Sequence, residues 1–152
     1  VPFVILLRQF VFQFIKLKNK ELSIISGKSN AQIRLQAYER MTLFLERMKP
    51  SNLVQKFDKE LAAVEFVFLV EKNIMEEFEY NASQQLYISQ DSWNNILNSK
   101  NNVLQLLHKT LENSPNVSLQ EFKTLFLMGY LDGEDYISDT IQNLRNEISS
   151  II

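Results

Sequence analysis

Residues that make tight turns are scarce in this chain. It has only three glycines and three prolines among 152 residues. Strand-rich folds reverse direction often, and most tight turns need Gly or Pro at defined positions. The sequence therefore favours long helices. We predict an all-α fold, an antiparallel bundle of about six helices that is preceded by an apolar N-terminal helix.

The composition fits a globular domain and restricts its chemistry. Apolar residues make up 45% of the chain and charged residues 22%, which is typical of folded proteins. A length of 152 residues is enough for one domain with a hydrophobic core. The chain has no cysteine. This excludes disulfide scaffolds, cysteine-ligated zinc and thiol catalysis, and it fits a reducing compartment.

The net charge of −2 is unevenly distributed along the chain. Residues 1–34 contain six basic residues and one acidic residue, a net charge of +5, whereas residues 35–152 contain 10 basic and 17 acidic residues, a net charge of −7. A basic beginning fits contact with anionic lipid, and an acidic remainder fits the cytosol. Because nucleic-acid binding needs a basic face, we expect no nucleic-acid partner.

Residues 1–15 form an apolar block with only three polar side chains, and lysines follow it. An apolar helix that ends in lysines is typical of a membrane helix leaving the bilayer on its cytoplasmic side. We therefore predict attachment to the inner membrane, with the helical domain on the cytoplasmic side. The residues predicted to contact the membrane or an interface are Phe3, Leu6, Phe10, Phe14, Lys16, Lys18 and Lys20.

Two alternatives to a membrane span stay open for this block. A span needs about 20 apolar residues, and Arg8 at the bilayer centre would cost at least about 2.5 kcal/mol. The block alone is too short. Because the chain lacks an initiator methionine, we expect a longer chain in which residues before Val1 complete the span. Otherwise the segment is an amphipathic helix in the membrane interface, or a core or oligomer-forming helix of a soluble protein.

Capping residues predict where the first two helices end. Gly27 can end the first helix in a left-handed cap. A second helix of about residues 31–48 is then stopped by Pro50. We therefore expect two units: an anchor or juxtamembrane helix over residues 1–26, and a cytoplasmic helical domain over residues 30–152.

The remaining chain predicts four more helices. A third helix of about 35 residues has no breaker over residues 51–87. Ser89 is a suitable N-cap for the fourth, and Ser118 with Glu121 makes a capping box for the fifth. The sixth begins after the acidic turn at Gly133, where acidic residues fit the helix dipole.

The third predicted helix contains a stretch, residues 61–70, that is apolar on nearly all sides. A helix that is apolar all round contacts neighbours on several sides, either in the domain centre or in a partner. We therefore predict a partner surface at Val64, Phe66 and Phe68.

Side chains that could carry chemistry do not form a recognisable site. His108 is the only histidine, and Glu112 is the nearest acid on its helix face. Position 105 is Gln, so the Glu-x-x-His motif of di-iron bundles is absent. Glu71 lies in the apolar stripe of the third helix, and a buried carboxylate can do acid–base work. A solvated helix face is the simpler interpretation of the acids on this helix.

Metal and phosphate motifs are also missing. The acidic run at residues 132–135 lacks the spacing of a calcium loop, and no Gly-rich phosphate loop occurs. We therefore predict no catalytic, cofactor-binding or metal-binding residue, no cofactor and no enzymatic activity.

Two stretches of the chain carry distinctive sequence motifs. The first is residues 33–48, IRLQAYERMTLFLERM, and the second is residues 77–89, EFEYNASQQLYIS, followed by Trp93. In these motifs the chain resembles an uncharacterised family of small membrane-anchored helical proteins of the Bacteroidetes lineage. The resemblance implies one N-terminal membrane helix, a cytoplasmic helical domain and no assigned activity. It supplies no catalytic residues. The first segment of this chain, with Arg8 and two glutamines, is more polar than a typical anchor of the family.

These observations favour a non-enzymatic, membrane-tethered interaction or scaffold protein, such as an accessory subunit of a larger membrane assembly. The expected partners are membrane lipid, contacted by the N-terminal segment, and another protein or further copies of this chain. An alternative is a sensor of a small ligand or lipid, with a pocket inside the bundle and Glu71 or His108 as its polar group. An enzyme that uses isolated carboxylates is a third hypothesis, which the sequence favours less.

Overall fold

The computed structural model describes residues 2–57 and 60–151, except for the side chains of Ser26 and Lys28. Within these ranges it contains six α-helices and no strand. The helices are α1 (Pro2–Met48), α2 (Pro50–Leu53), α3 (Ala63–Tyr80), α4 (Gln90–Asn113), α5 (Leu119–Leu131) and α6 (Tyr136–Ile151), with a 3₁₀ turn at Ala82–Leu86 between α3 and α4. The prediction of an all-α helical bundle is confirmed.

The first helix is continuous across Gly27, so the helix break that we predicted there is wrong. α1 has 47 residues, a length of about 70 Å at 1.5 Å per residue. Gly27 does not have a positive φ, and apart from its chain neighbours and the backbone of its own helix, no described atom lies within 4 Å of the position that a Cβ would take. A glycine weakens a helix by about 1 kcal/mol but does not end it. Nothing outside the helix forces the chain to turn at this point.

The single third helix that we predicted for residues 51–87 is also wrong, because α2 and α3 are separate helices. Between them Phe57 has a φ of 67°, a left-handed conformation that bulky residues rarely adopt. Its ring meets the ring of Phe66 edge-on, with centroids 6.5 Å apart. Packing against α3 therefore favours a turn where local propensity favours a helix. The predicted helix also included residues 58–59, which lie outside the described residues.

Capping explains where α4, α5 and α6 begin. The amide of Ser92 donates to Ser89 Oγ at 3.2 Å, and the amide of Glu121 donates to Ser118 Oγ at 3.2 Å. The predicted N-caps Ser89 and Ser118 are confirmed, but the hydrogen bonds of the described residues do not include the one from the Ser118 amide to the Glu121 carboxylate that would complete the predicted capping box. Asp135 accepts from the amide of Ser138 at 3.2 Å and caps α6 in the same way.

The core forms where the C-terminal part of α1 packs with the later helices. Buried α1 side chains recur at three- and four-residue steps, as an amphipathic helix requires: Ala37, Met41, Phe44, Leu45 and Met48. Aromatic rings join the helices in two groups, Phe44–Phe78–Trp93 and Phe66–Phe122–Phe126, with centroids 5.6 to 6.3 Å apart. α6 lies along α1 and α4. The bundle therefore holds only the last part of α1.

Candidate interaction surfaces

The N-terminal part of α1 leaves the bundle as a single exposed helix. Every described side chain in residues 2–30 is exposed, including Phe10 at 68% and Phe12 at 70%. We call residues 2–30 the projecting segment. It extends about 42 Å at 1.5 Å per residue. Since most helices in proteins depend on tertiary packing for stability, its apolar surface is suited to a partner outside the bundle.

The residues that the sequence predicts to contact a membrane or an interface all lie on the projecting segment. They are exposed, and Lys18 Nζ lies 5.8 Å from the ring centroid of Phe14. Gln9, Gln13, Lys16 and Lys20 recur at steps of four, three and four residues, which places them on one helix face. Apolar residues occupy most of the other faces up to Leu17. The segment is therefore amphipathic.

No helix within the described ranges combines the length and the apolar character that a membrane crossing requires.

The three residues of the predicted partner surface lie on different sides of α3. Val64 and Phe68 are 58% and 64% exposed, whereas Phe66 is fully buried in the core. Residues two apart in a helix point in nearly opposite directions, so Phe66 cannot share a surface with the other two. Leu61 and Leu69 lie beside them and complete a small apolar patch on the outside of the bundle.

An apolar groove of about 390 Å³ runs between α1 and α6. Leu35, Leu43 and Ile148 supply apolar side chains, and Glu39 and Arg145 also line it. The groove begins on the part of α1 that directly follows the projecting segment. It is open to solvent, so it offers a contact surface and not an enclosed cavity.

A polar cluster holds α6 to the start of α4 and to α1. The carboxylate of Glu147 accepts hydrogen bonds from the hydroxyls of Tyr38 and Ser92. It also accepts from Ser89 Oγ at 2.9 Å and from the Ser89 amide at 3.3 Å. We call these four residues the Glu147 cluster. The sequence did not reveal it, because Glu147 lies 109 residues from Tyr38 and 55 from Ser92.

The hydrogen bonds decide the ionisation of the Glu147 cluster. Burial raises the pKa of Glu147, but the bonds from Ser92, Tyr38 and Ser89 outweigh it and hold the pKa below its ordinary value. Burial and the bond to Glu147 raise the pKa of Tyr38 to about 12. At neutral pH the cluster is therefore a carboxylate surrounded by donors. It links helices and offers no free acid or base.

A second polar group joins α5 to α6. Tyr130 donates to Asp135 and accepts from the amide of Ile137 at 3.3 Å. Burial raises the pKa of Tyr130 and would raise that of Asp135, but hydrogen bonds from Tyr130 and Ser138 lower the pKa of Asp135. The hydroxyl of Tyr136 is buried without a partner among the described residues. Burial and the nearby Asp135 raise its pKa to about 12.

The structure brings Glu71 and His108 together on the surface. His108 Nε2 lies 3.0 Å from Glu71 Oε2, and both side chains are partly exposed. The pair joins α3 to α4. The sensor hypothesis placed one of them in a pocket inside the bundle, and this placement is wrong. A ligand-sensing function itself stays a prediction.

Lys100 is buried against an aromatic ring. Its side chain is in the core region of α4, and Nζ lies 4.1 Å from the ring centroid of Phe78. Burial lowers its pKa. The contact is a cation–π interaction, which accounts for a lysine at this position without a catalytic role.

Within the described ranges, no group of three or more histidine, aspartate or glutamate side chains is placed to hold a metal ion. The acidic residues Asp132 and Glu134 lie exposed in the connection between α5 and α6. The arrangement of side chains therefore offers surfaces for contact, and the predicted lack of enzymatic activity stays a prediction.

The comparison with known proteins identifies the family. The model described as "Family of unknown function (DUF7935)" matches residues 1–151. The chain belongs to this family. No curated protein and no solved structure matches it. Membership of an uncharacterised family is thus confirmed for this DUF7935 chain, whereas the membrane anchor and the lineage implied by the resemblance stay predictions.

Proposed function

We propose that this DUF7935 chain is a non-enzymatic interaction protein that the projecting segment tethers to a membrane. The bundle is then held beside the lipid surface as an accessory part of a larger assembly. The observation that carries the proposal is the projecting segment, where exposed phenylalanine, leucine and isoleucine side chains extend outside the bundle. A function through contact explains why such a surface exists.

Two properties of the projecting segment fit an anionic lipid surface. Burial of an exposed phenylalanine side chain, such as Phe12, contributes about 1.5–3 kcal/mol. A lysine near an anionic surface contributes about 1 kcal/mol, and Lys16, Lys18 and Lys20 follow the apolar residues directly. Several such contributions together exceed the cost of holding one helix at a surface.

The charge of the two parts of the chain supports one orientation. Residues 1–34 carry +5 and residues 35–152 carry −7. An anionic surface attracts the first part and repels the second, so the bundle stays in solution. Lysines after an apolar helix favour the cytoplasmic face of the inner membrane. The resemblance to anchored proteins of the Bacteroidetes lineage supports the same location.

Vesicle flotation tests the tether. We expect the chain to float with vesicles that contain about one-third anionic lipid, and to float less with zwitterionic vesicles or at about 500 mM salt. Ile5→Gln together with Phe12→Gln should abolish flotation, because both side chains are exposed on the segment. The matched control is Phe68→Gln, which removes an exposed phenylalanine from the bundle.

The opposite results would reject the tether. If wild-type protein stays in the unbound fraction with both vesicle types, or if Phe68→Gln lowers binding as much as the double variant, the projecting segment does not attach the chain to lipid. Triple replacement of Lys16, Lys18 and Lys20 by glutamine should weaken the salt dependence, because it lowers the net charge of residues 1–34 from +5 to +2. Unchanged salt dependence would reject the role assigned to these lysines.

A further inference from the structure

Apolar side chains in the projecting segment recur with heptad spacing. They follow alternating steps of four and three residues, interrupted only by Glu21: Phe3, Leu7, Phe10, Phe14, Leu17 and Ile24. All of them are exposed. We call this stripe, including Glu21, the seam. In heptad notation Leu7, Phe14 and Glu21 are a positions and the others are d positions. A sustained a/d repeat is the pattern by which two helices interlock.

The same register reaches the bundle, although its a positions Lys28 and Thr42 are polar, and there α1 already has a partner. Tyr38 and Leu45 are later d positions of the same repeat, and both are buried. Tyr38 bonds to Glu147 of α6. The chain itself therefore covers the seam beyond residue 38, and the part from residue 3 to residue 24 is available for a second helix.

We propose that two copies of this chain pair in parallel along the seam, so that the two projecting segments form a coiled coil. The repeat is self-complementary, because each a or d residue meets the same residue of the second copy in a parallel pair. The proposal goes beyond the membrane tether, because it names the partner of one face of the segment. It does not depend on lipid.

The position of Glu21 favours the parallel arrangement. In a parallel pair the side chain at an a position packs beside the preceding g residue of the other helix. The two Glu21 carboxylates share one layer of a parallel pair, and Lys20 of the opposite copy lies beside each of them, so each carboxylate has a positive charge next to it. In an antiparallel pair an a position faces a d position, and Glu21 would lie against an apolar residue such as Phe3 or Phe10. Burying a carboxylate without a partner is costly.

The area of the seam is sufficient for a stable dimer. A phenylalanine side chain buries about 200 Å² and an aliphatic one somewhat less. Covering the exposed part of three phenylalanines, two leucines and one isoleucine removes roughly 600 Å² per chain, or about 1,200 Å² for the pair. This value lies at the lower end of the range for specific interfaces, about 1,200–2,000 Å².

Pairing along the seam leaves apolar residues on the outside of the coiled coil. Phe12 is at an f position, and Ile5 and Val11 also lie off the seam. Phe12 is 70% exposed. These side chains can still contact lipid, so the dimer and the tether use different faces of the same segment.

Single cysteines test the pairing directly, since the chain has no cysteine of its own. Phe10→Cys lies on the seam and Phe12→Cys lies opposite, and the two native side chains are equally exposed. On mild oxidation we expect Phe10→Cys to form disulfide-linked dimers at least about tenfold faster than Phe12→Cys, because only seam positions bring two Cβ atoms close. Light scattering should give wild-type protein a mass near twice 17.8 kDa.

Three results would overturn the proposal. The first is equal cross-linking of Phe10→Cys and Phe12→Cys. The second is a monomeric mass for wild-type protein both in solution and on vesicles. The third is a mixture of Phe10→Cys and Phe14→Cys that cross-links preferentially between the two variants, which indicates an antiparallel pair. Flotation of wild-type protein, measured beside the cross-linking, separates the two proposals, because cross-linking without flotation rejects only the tether and flotation without cross-linking rejects only the dimer.

Discussion

Replacing Glu147 by glutamine is expected to destabilise the bundle far from the projecting segment. The Glu147 carboxylate is the common acceptor for Tyr38, Ser89 and Ser92. It therefore connects α6, the start of α4 and α1. Glutamine has a similar shape but keeps only one acceptor oxygen and no charge.

The structure gives the expected magnitude. A hydrogen bond to a charged group contributes about 1.5–3 kcal/mol. Glu147→Gln weakens several such bonds but keeps part of each contact, so we expect the free energy of unfolding to fall by about 2 kcal/mol. Glu147→Ala also leaves the buried Tyr38 hydroxyl without an acceptor, which raises the expected loss to about 3–4 kcal/mol. For a chain of this size, 2 kcal/mol lowers Tm by about 4–8 °C.

The same bonds predict how stability depends on pH. Hydrogen bonds hold the pKa of folded Glu147 below the value of 4.5 for an ordinary glutamate, although burial acts in the opposite direction. These bonds contribute fully to folding stability above the pKa that Glu147 has in the unfolded chain. The contribution is lost as the pH falls through the pKa that Glu147 has in the folded protein. Between about pH 5 and pH 3, wild-type protein should therefore lose more stability than Glu147→Gln.

Thermal and urea unfolding, followed by circular dichroism, measure both effects. The control is Glu79→Gln, because the side chain of Glu79 is exposed on α3 and makes no hydrogen bond or ion pair with the described residues. If Glu147→Gln melts within about 1 °C of wild type, or if both variants change equally with pH, the Glu147 cluster does not stabilise the bundle as argued.

Four further substitutions give three separate tests. Phe66→Ala should lower the free energy of unfolding, measured in urea, by about 3–5 kcal/mol, whereas Phe68→Ala should lower it by less than about 0.5 kcal/mol. Similar losses for the two variants would contradict the assignment of Phe66 to the core face of α3 and of Phe68 to its exposed face. Gly27→Ala should slow hydrogen exchange of the neighbouring α1 amides, because it favours the helix by about 1 kcal/mol, and faster exchange would show that the helix breaks there. Tyr130→Phe removes the donor to Asp135 and should cost about 1–2 kcal/mol by thermal unfolding, and an unchanged Tm would refute that role.

Features set by local sequence could be predicted correctly. The scarcity of Gly and Pro correctly predicts the all-α fold class. Ser89 and Ser118 correctly predict where α4 and α5 begin. In each case the determining interaction lies within a few residues of the chain. Gly27 shows the limit of such reasoning, since a residue that permits a helix end does not require one.

Features set by distant packing could not be predicted. The turn at Phe57 depends on its contact with Phe66, and no pattern within residues 51–57 indicates it. The Glu147 cluster joins residues from three parts of the chain, so no spacing in the sequence reveals it. On α3, nearly continuous apolar sequence concealed which side faces the core, and only the packed helices separate Phe66 from Phe68.

Hydrogen–deuterium exchange with and without anionic vesicles tests most directly whether the projecting segment holds the bundle at a lipid surface. We expect anionic vesicles to slow the exchange of backbone amides in peptides from residues 3–25 and to leave amide exchange in the helices from residue 63 onward unchanged. Unchanged exchange in residues 3–25, or protection confined to α3–α6, would contradict it.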